Sequence, residues 1–165
     1  MSRIATIRKQ IDPIAQLMQE HDLALVHLAA LNRETQSIAE KGFSREAYER
    51  ILSAVEFIED EVSVHNKSEE EALFPVLERY VEGPTKLMRD DHKVLKREFV
   101  RLRRAVNKVG KERKNKRAAQ DLATISKTIV QRFVNHIHKE NHILFPLVQK
   151  FLTKDALREV ARRML

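Results

Sequence analysis

The sequence contains no cysteine, few glycines and few aromatic residues, and each shortage excludes a class of protein. Without cysteine, the chain can form no disulfide, no thiolate metal site and no thiol nucleophile. Three glycines and an aromatic content of 5% disfavour a β-rich fold, which needs more turns and more aromatic side chains. No apolar run reaches the length of a membrane span, and the N-terminal MSRIATIRKQ lacks the apolar block of a signal peptide. We therefore expect a cytoplasmic protein.

Charge and helical periodicity dominate what remains. Charged residues make up 33% of the 165 residues, a length that suits one domain. Apolar residues recur at spacings of three and four in four long segments, which is typical of helices with one buried face. The segments run from Asp12-Pro13 to Gly42, from Ser44 to Gly83-Pro84, from Thr85 to Gly110, and from the end of the polar linker KERKNKR to about residue 150.

Short connections between long helices predict antiparallel neighbours. The predicted fold is therefore all-α, an up-down-up-down four-helix bundle. Thr153 predicts the cap of a short C-terminal helix over residues 153–164. We expect residues 1–165 to form a single domain with its core in residues 12–150, and residues 1–11 to add an amphipathic arm.

A repeat organises the polar residues. HNKSEEEALFP begins at His65, and HIHKENHILFP begins 71 residues later at His136. Both read His, three residues, Glu, three residues, Leu-Phe-Pro. His21 and His92 are also 71 residues apart. Each half of the chain thus has one helix with a single histidine and one helix with His-x3-Glu.

These repeated residues fall on the apolar stripes of the predicted helices. His21, for example, lies between Met18 and Leu25. The residues that are predicted to point inward are His21, His65, Glu69, His92, His136 and Glu140. An uncompensated buried charge costs several kcal/mol, so these groups need a partner. A buried His–Glu hydrogen-bond network is the alternative to a metal, but such a network must be fully satisfied to be tolerated.

Imidazole and carboxylate ligands without sulfur suit iron, manganese or zinc. Zinc more often occupies a tetrahedral site and gives no reason for symmetric halves. Two metals, each with two histidines, and two bridging glutamates describe a di-iron centre. Glu61, four residues before His65, is either an additional ligand or orienting base, or a solvated residue. His27, His138 and His142 lie off the ligand faces, so we expect them at the surface or as hydrogen-bond partners of ligands.

From His21 to Pro146 the sequence resembles the hemerythrin-like, or HHE cation-binding, domains. The resemblance implies a four-helix bundle with a non-haem, oxo-bridged di-iron site. It makes His21, His65, His92 and His136 iron ligands, and Glu69 and Glu140 the bridging carboxylates. HIHKENHILFP is also similar to the matching helix of bacterial di-iron proteins that repair iron–sulfur centres. Oxygen-carrying hemerythrins have a second histidine four residues after that of the third helix, where this chain has Lys96.

The function expected from these residues is the binding of O2, NO or peroxide at two iron ions, by a sensor, a scavenger or a redox enzyme. The alternatives are an oxygen carrier and a module that stores or donates iron, including one that repairs iron–sulfur centres. The sequence assigns no catalytic residue and leaves enzymatic activity open.

The charge is concentrated in residues 86–117, which contain 14 Lys and Arg against four Asp and Glu. This region is either a docking surface for an acidic partner or a solvated helix face with a linker. It carries no nucleic-acid recognition motif and no interleaved aromatic residues, so nucleic acid is not the expected partner.

Overall fold

The computed structural model describes residues 12–164, and these residues are almost entirely helical. We number the helices α1 (Pro13–Lys41), α2 (residues 45–77), α3 (Thr85–Lys111), α4 (residues 116–151) and α5 (Lys154–Arg163). No strand occurs within the described residues, so the all-α prediction is confirmed. The predicted N-terminal arm lies outside them. None of the described helices is long and apolar enough to cross a lipid bilayer.

Side-chain caps fix where several helices begin. Asp12 accepts a hydrogen bond from the Ile14 backbone N–H at 2.7 Å, and Ser44 and Thr153 cap α2 and α5 in the same way, as predicted. Asn115 caps α4 by accepting from the Ala118 N–H at 3.0 Å. The helix therefore begins at Lys116, inside the predicted KERKNKR linker. The predicted linker was too long because this cap was not recognised.

The helices form an antiparallel bundle. Helix α1 packs against α2 and α4, and α3 packs against α4. Glu59 and Glu70 of α2 contact Arg103 and His92 of α3, so residue numbers rise along one helix as they fall along the other. The predicted up-down-up-down order is confirmed. Helices α2 and α3 pack less closely than the other neighbours, which leaves a cleft between them.

The hydrophobic core consists of two clusters at opposite ends of the bundle. On α1, Leu17 belongs to one cluster and Ala24 to the other, with His21 between them. On α4, Phe133 and Leu144 are divided in the same way. Met18, which the sequence pattern placed on the buried face, is 39% exposed. The prediction that Met18 is buried is wrong. Leu17 already points into the core, and the next residue along an α-helix is turned about 100° away from it.

Three π-helical segments interrupt α2 and α4 within the described residues: Ile58–Val62, Glu69–Leu73 and Glu140–Leu144. The last two begin at the repeated glutamates, and they end just before Phe74-Pro75 and Phe145-Pro146. The Phe74 N–H donates to the Glu69 carbonyl, five residues back, and Phe145 donates to Glu140 in the same way. A proline ring clashes with the carbonyl four residues back in an α-helix, and the wider π turn relieves that clash.

Candidate metal centre

The structure brings all six predicted site residues to one level of the bundle. Helices α1 and α3 each supply one histidine, and α2 and α4 each supply a histidine and a glutamate. None of these residues is more than 6% exposed, and the two glutamates are completely buried. The polar layer that they form separates the two hydrophobic clusters.

The histidines are arranged in two pairs, each of which joins neighbouring helices. The Nε2 atoms of His21 and His65 are 3.0 Å apart, and those of His92 and His136 are 3.1 Å apart. Glu140 lies between the pairs, with Oε1 at 3.2 Å from His21 Nε2 and 2.9 Å from His136 Nε2. A carboxylate oxygen of Glu69 contacts Nε2 of His65.

These atoms form two groups that are each able to hold a cation. His21, His65, Glu69 and Glu140 form the first group, and His92, His136 and Glu140 form the second. Within each group, the potential ligand atoms all lie within 4.8 Å of one another. Glu140 belongs to both groups, whereas Glu69 belongs only to the first. The geometry therefore offers two adjacent cation positions that share Glu140.

Each of the four histidines of the layer has a hydrogen-bond acceptor at Nδ1, the ring nitrogen that does not face the layer. The Nδ1 atoms of His21, His65, His92 and His136 donate to Asn141 Oδ1 at 2.8 Å, Glu20 Oε2 at 3.0 Å, Glu70 Oε1 at 2.8 Å and Asp91 Oδ2 at 3.1 Å, respectively. Because an oxygen acceptor faces Nδ1, we assign the proton of each neutral ring to Nδ1. Every Nε2 then points a lone pair into the layer, which is the state that a metal needs.

Sequence reasoning missed these four outer acceptors, although the repeat contains them. Glu20 and Asp91 each precede a ligand histidine and are 71 residues apart. Glu70 and Asn141 each follow a ligand glutamate, at the same interval. The repeat thus extends to the residues that form hydrogen bonds with the four histidines of the layer. The two repeats differ in charge at one of these positions, because Asn141 is neutral whereas the equivalent Glu70 is acidic.

The chemistry of the layer fits a bound cation. All four carboxylate oxygens of Glu69 and Glu140 are buried, and none has a hydrogen-bond partner among the described residues. Burial first, and then the charge of Glu140, raise the pKa of Glu69 well above its usual value. Burial also opposes ionisation of Glu140, but contacts with Glu69 and His136 hold its pKa well below the usual range. Ionisation of both carboxyl groups at this depth is therefore unfavourable unless a cation lies beside them. The layer therefore has more hydrogen-bond acceptors than donors, and a bound cation would supply the missing positive charge.

Both Leu-Phe-Pro motifs wall the layer. The Phe145 ring stacks on His21 with ring centroids 5.5 Å apart, and the Phe74 ring stacks on His92 at 6.1 Å. Both phenylalanines are almost completely buried. Each repeat therefore supplies two candidate ligands, a π turn and an apolar ring that covers a histidine from the other half of the site.

A small cavity of about 30 Å³ adjoins the first group. His21, His65, His136 and Glu140 line it together with apolar side chains that include Ala24, Val62 and Phe133. Its volume suits about one water-sized molecule. Glu61 borders this cavity but is exposed, and it contributes no atom to either donor group.

The remaining histidines are not part of the layer. His27 is half-buried and stacks on Phe57, with ring centroids 3.6 Å apart. His138 and His142 are exposed, and their rings lie 4.2 Å from each other. None of the three supplies a hydrogen bond to a ligand histidine. Lys96 is also exposed and borders the cleft between α2 and α3.

The comparisons with known proteins agree with this geometry. A search among curated proteins finds no significant match. The family model of the hemerythrin HHE cation-binding domain matches residues 12–148 and also residues 83–165. The step from residue 12 to residue 83 equals the 71-residue interval between the ligand motifs. The chain therefore belongs to the hemerythrin HHE cation-binding domain family.

Proposed function

We propose that this protein is a cytoplasmic, non-haem di-iron protein that binds O2, NO or peroxide, as a sensor, a scavenger or a redox enzyme. The observation that carries the proposal is the position of Glu140 between two histidine pairs. One shared carboxylate with a pair of imidazoles on either side is an arrangement for two ions rather than one. Nitrogen and oxygen donors without sulfur suit iron.

The residues of the chain have separable roles in this proposal. The four Nε2 atoms and the carboxylates of Glu69 and Glu140 would hold the ions, and Glu140, which belongs to both donor groups, would be shared between them. The oxygens of Glu20, Glu70, Asp91 and Asn141 fix the ring orientations and raise the basicity of the imidazoles. A bound iron pair supplies the electrons and the coordination positions for a small ligand.

The size of the adjacent cavity supports a small ligand. At about 30 Å³, it has room for a molecule such as O2, NO or peroxide and not for a larger organic substrate. The apolar part of its lining, which includes Ala24, Val62 and Phe133, suits weakly hydrated molecules such as O2 and NO. The Phe74 and Phe145 rings pack on the opposite side of the layer from this cavity's apolar wall, and they keep bulk water from the histidines.

The test is elemental analysis of protein purified without a metal-binding tag, together with its visible spectrum. We expect two iron ions per chain and the absorption of a bridged ferric pair. A Glu69→Ala, Glu140→Ala double variant should lose this metal, whereas Glu71→Ala, on the exposed side of the same π turn, should keep it. One metal per chain in the unmodified protein, or two in the double variant, would contradict the proposal.

A further inference from the structure

A cleft between α2 and α3 borders the polar layer, and His92 belongs to its lining. Its volume is about 640 Å³. At one end, His92 Nδ1 donates to Glu70 Oε1 at 2.8 Å. At the other end, Arg103 donates to both carboxylate oxygens of Glu59, at 3.1 and 2.6 Å. His92 and Arg103 are eleven positions apart on α3, so the two ends of the cleft are about 16 Å apart along the helix.

The floor of the cleft is apolar. Leu95 and Phe99 of α3, Ile58 and Val62 of α2, and Phe133 of α4 line it. Phe99 meets Phe133 edge to face, with ring centroids 5.3 Å apart. Val62 and Phe99 are partly exposed, and Ile58, Leu95 and Phe133 are buried beneath them.

The rim of the cleft is basic. Lys67 of α2 and Lys93, Lys96 and Arg104 of α3 are exposed at its edges. Within residues 12–164, none of these four cations takes part in an ion pair. The antiparallel order that sets Glu70 beside His92 and Glu59 beside Arg103 also sets Lys67 across the cleft from Lys96.

The acidic groups of the lining do not cancel this charge. Glu59 is neutralised by Arg103, whereas Glu70 accepts a hydrogen bond from the neutral His92 ring and keeps its charge. Glu70 and Glu71 therefore stand against four cations. Glu71 is the remaining acidic residue of the lining, and it is exposed. The middle of the cleft therefore presents a positive rim above an apolar floor.

We propose that this cleft binds an amphipathic organic anion, namely a carboxylate with an apolar tail. The tail would lie on Phe99 and Phe133, and the carboxylate would lie between Lys67 and Lys96. The volume is in the range of small-molecule sites. A helix or an extended chain of a partner protein would need a groove that is open at its ends, whereas polar contacts between the two helices close this cleft at both ends. The proposal does not depend on which metal the layer holds.

The experiment is calorimetric titration of the metal-loaded, full-length protein with decanoate and with its shorter homologues. We expect one saturable site per chain. Each methylene removed should weaken binding about fourfold, the factor that corresponds to one buried CH2 group. Decylammonium, which has the same tail and the opposite charge, should bind at least tenfold more weakly than decanoate.

Charge reversal at the rim separates this site from general surface binding. A Lys67→Glu, Lys96→Glu double variant should bind decanoate at least tenfold more weakly. The matched control is Lys108→Glu, Lys127→Glu, which changes the net charge equally at exposed positions that do not line the cleft. Circular dichroism checks that both variants keep the helical content of the unmodified protein.

Several results would overturn the proposal. They are binding without saturation, equal affinity for decylammonium, and an equal loss of affinity in the control variant. A further contrary result is tight binding of an acidic peptide together with no binding of decanoate. That outcome would assign the basic rim to a protein partner.

Discussion

Replacing Asp91 should weaken metal binding although Asp91 is not a ligand. Its Oδ2 accepts from His136 Nδ1 at 3.1 Å and also contacts the Lys139 ammonium. Burial opposes ionisation of this carboxyl, but the hydrogen bonds from Lys139 and His136 hold its pKa below the usual value. Asp91 is therefore ionised at neutral pH and stabilises the ring orientation in which Nε2 faces the layer.

The expected magnitude follows from this contact. Loss of a partner that orients a metal-binding histidine typically costs 10- to 100-fold in metal affinity, or about 1.4–2.7 kcal/mol. The Asp91 side chain is 24% exposed, so water can replace part of the hydrogen bond. We therefore expect a loss of roughly tenfold for Asp91→Ala, near the lower limit. Asp91→Asn retains an oxygen acceptor and should lose less.

The assay is competition for Fe(II) against a chromophoric chelator under anaerobic conditions. The control is Asp90→Ala, because the side chain of the neighbouring Asp90 is 48% exposed and forms an ion pair only with Lys86 among the described residues. Unchanged affinity in Asp91→Ala, or an equal loss in Asp90→Ala, would refute the argument that outer acceptors hold the site in its binding geometry.

Other predictions concern the ion, the packing and the reactivity. Removing the metal should lower the melting temperature by far more than a few degrees, because the two buried glutamates are left without a cation; coincident melting curves would favour a satisfied polar core. Gly110→Ala should destabilise the fold by about 1–3 kcal/mol, since the new Cβ would lie 2.1 Å from the Tyr48 hydroxyl oxygen. Urea denaturation measures that loss, and Tyr48→Ala in the same chain should cancel part of it. Stopped-flow mixing of the reduced protein with O2 should show rapid autoxidation, because Lys96 stands where oxygen carriers have a ligand histidine. Repeated release of intact O2 under vacuum would instead identify an oxygen carrier.

The bundle and the clustering of the six site residues were predictable because both depend on regular spacing. His65 and Glu69 are four residues apart and continue an apolar stripe, so a helix must place them on its buried face. The 71-residue repeat then brings the equivalent pair, His136 and Glu140, to the same level. No tertiary information is needed for that step.

The outer acceptors were not predictable from a single stripe. Asp91 and Glu70 lie beside the buried face rather than on it. Whether such a residue reaches a histidine depends on how closely the neighbouring helix packs. The cleft has the same cause: the apolar pattern of α2 and α3 predicts that both are buried, but not that they pack less closely with each other than with α1 and α4. Register within a helix can be predicted from sequence, and distance between helices cannot.

The division of the core into two hydrophobic clusters has a consequence for cooperativity. The apolar groups at the two ends of the bundle meet only across a layer of carboxylates and imidazoles. Burial of apolar surface in one cluster therefore contributes little to the stability of the other cluster. An ion that was bound by side chains of all four long helices would join the two ends into a single folding unit. In the ion-free chain, amide hydrogens near Leu28 and those near Leu144 would exchange with solvent through separate opening events, and metal content would set how many units unfold independently.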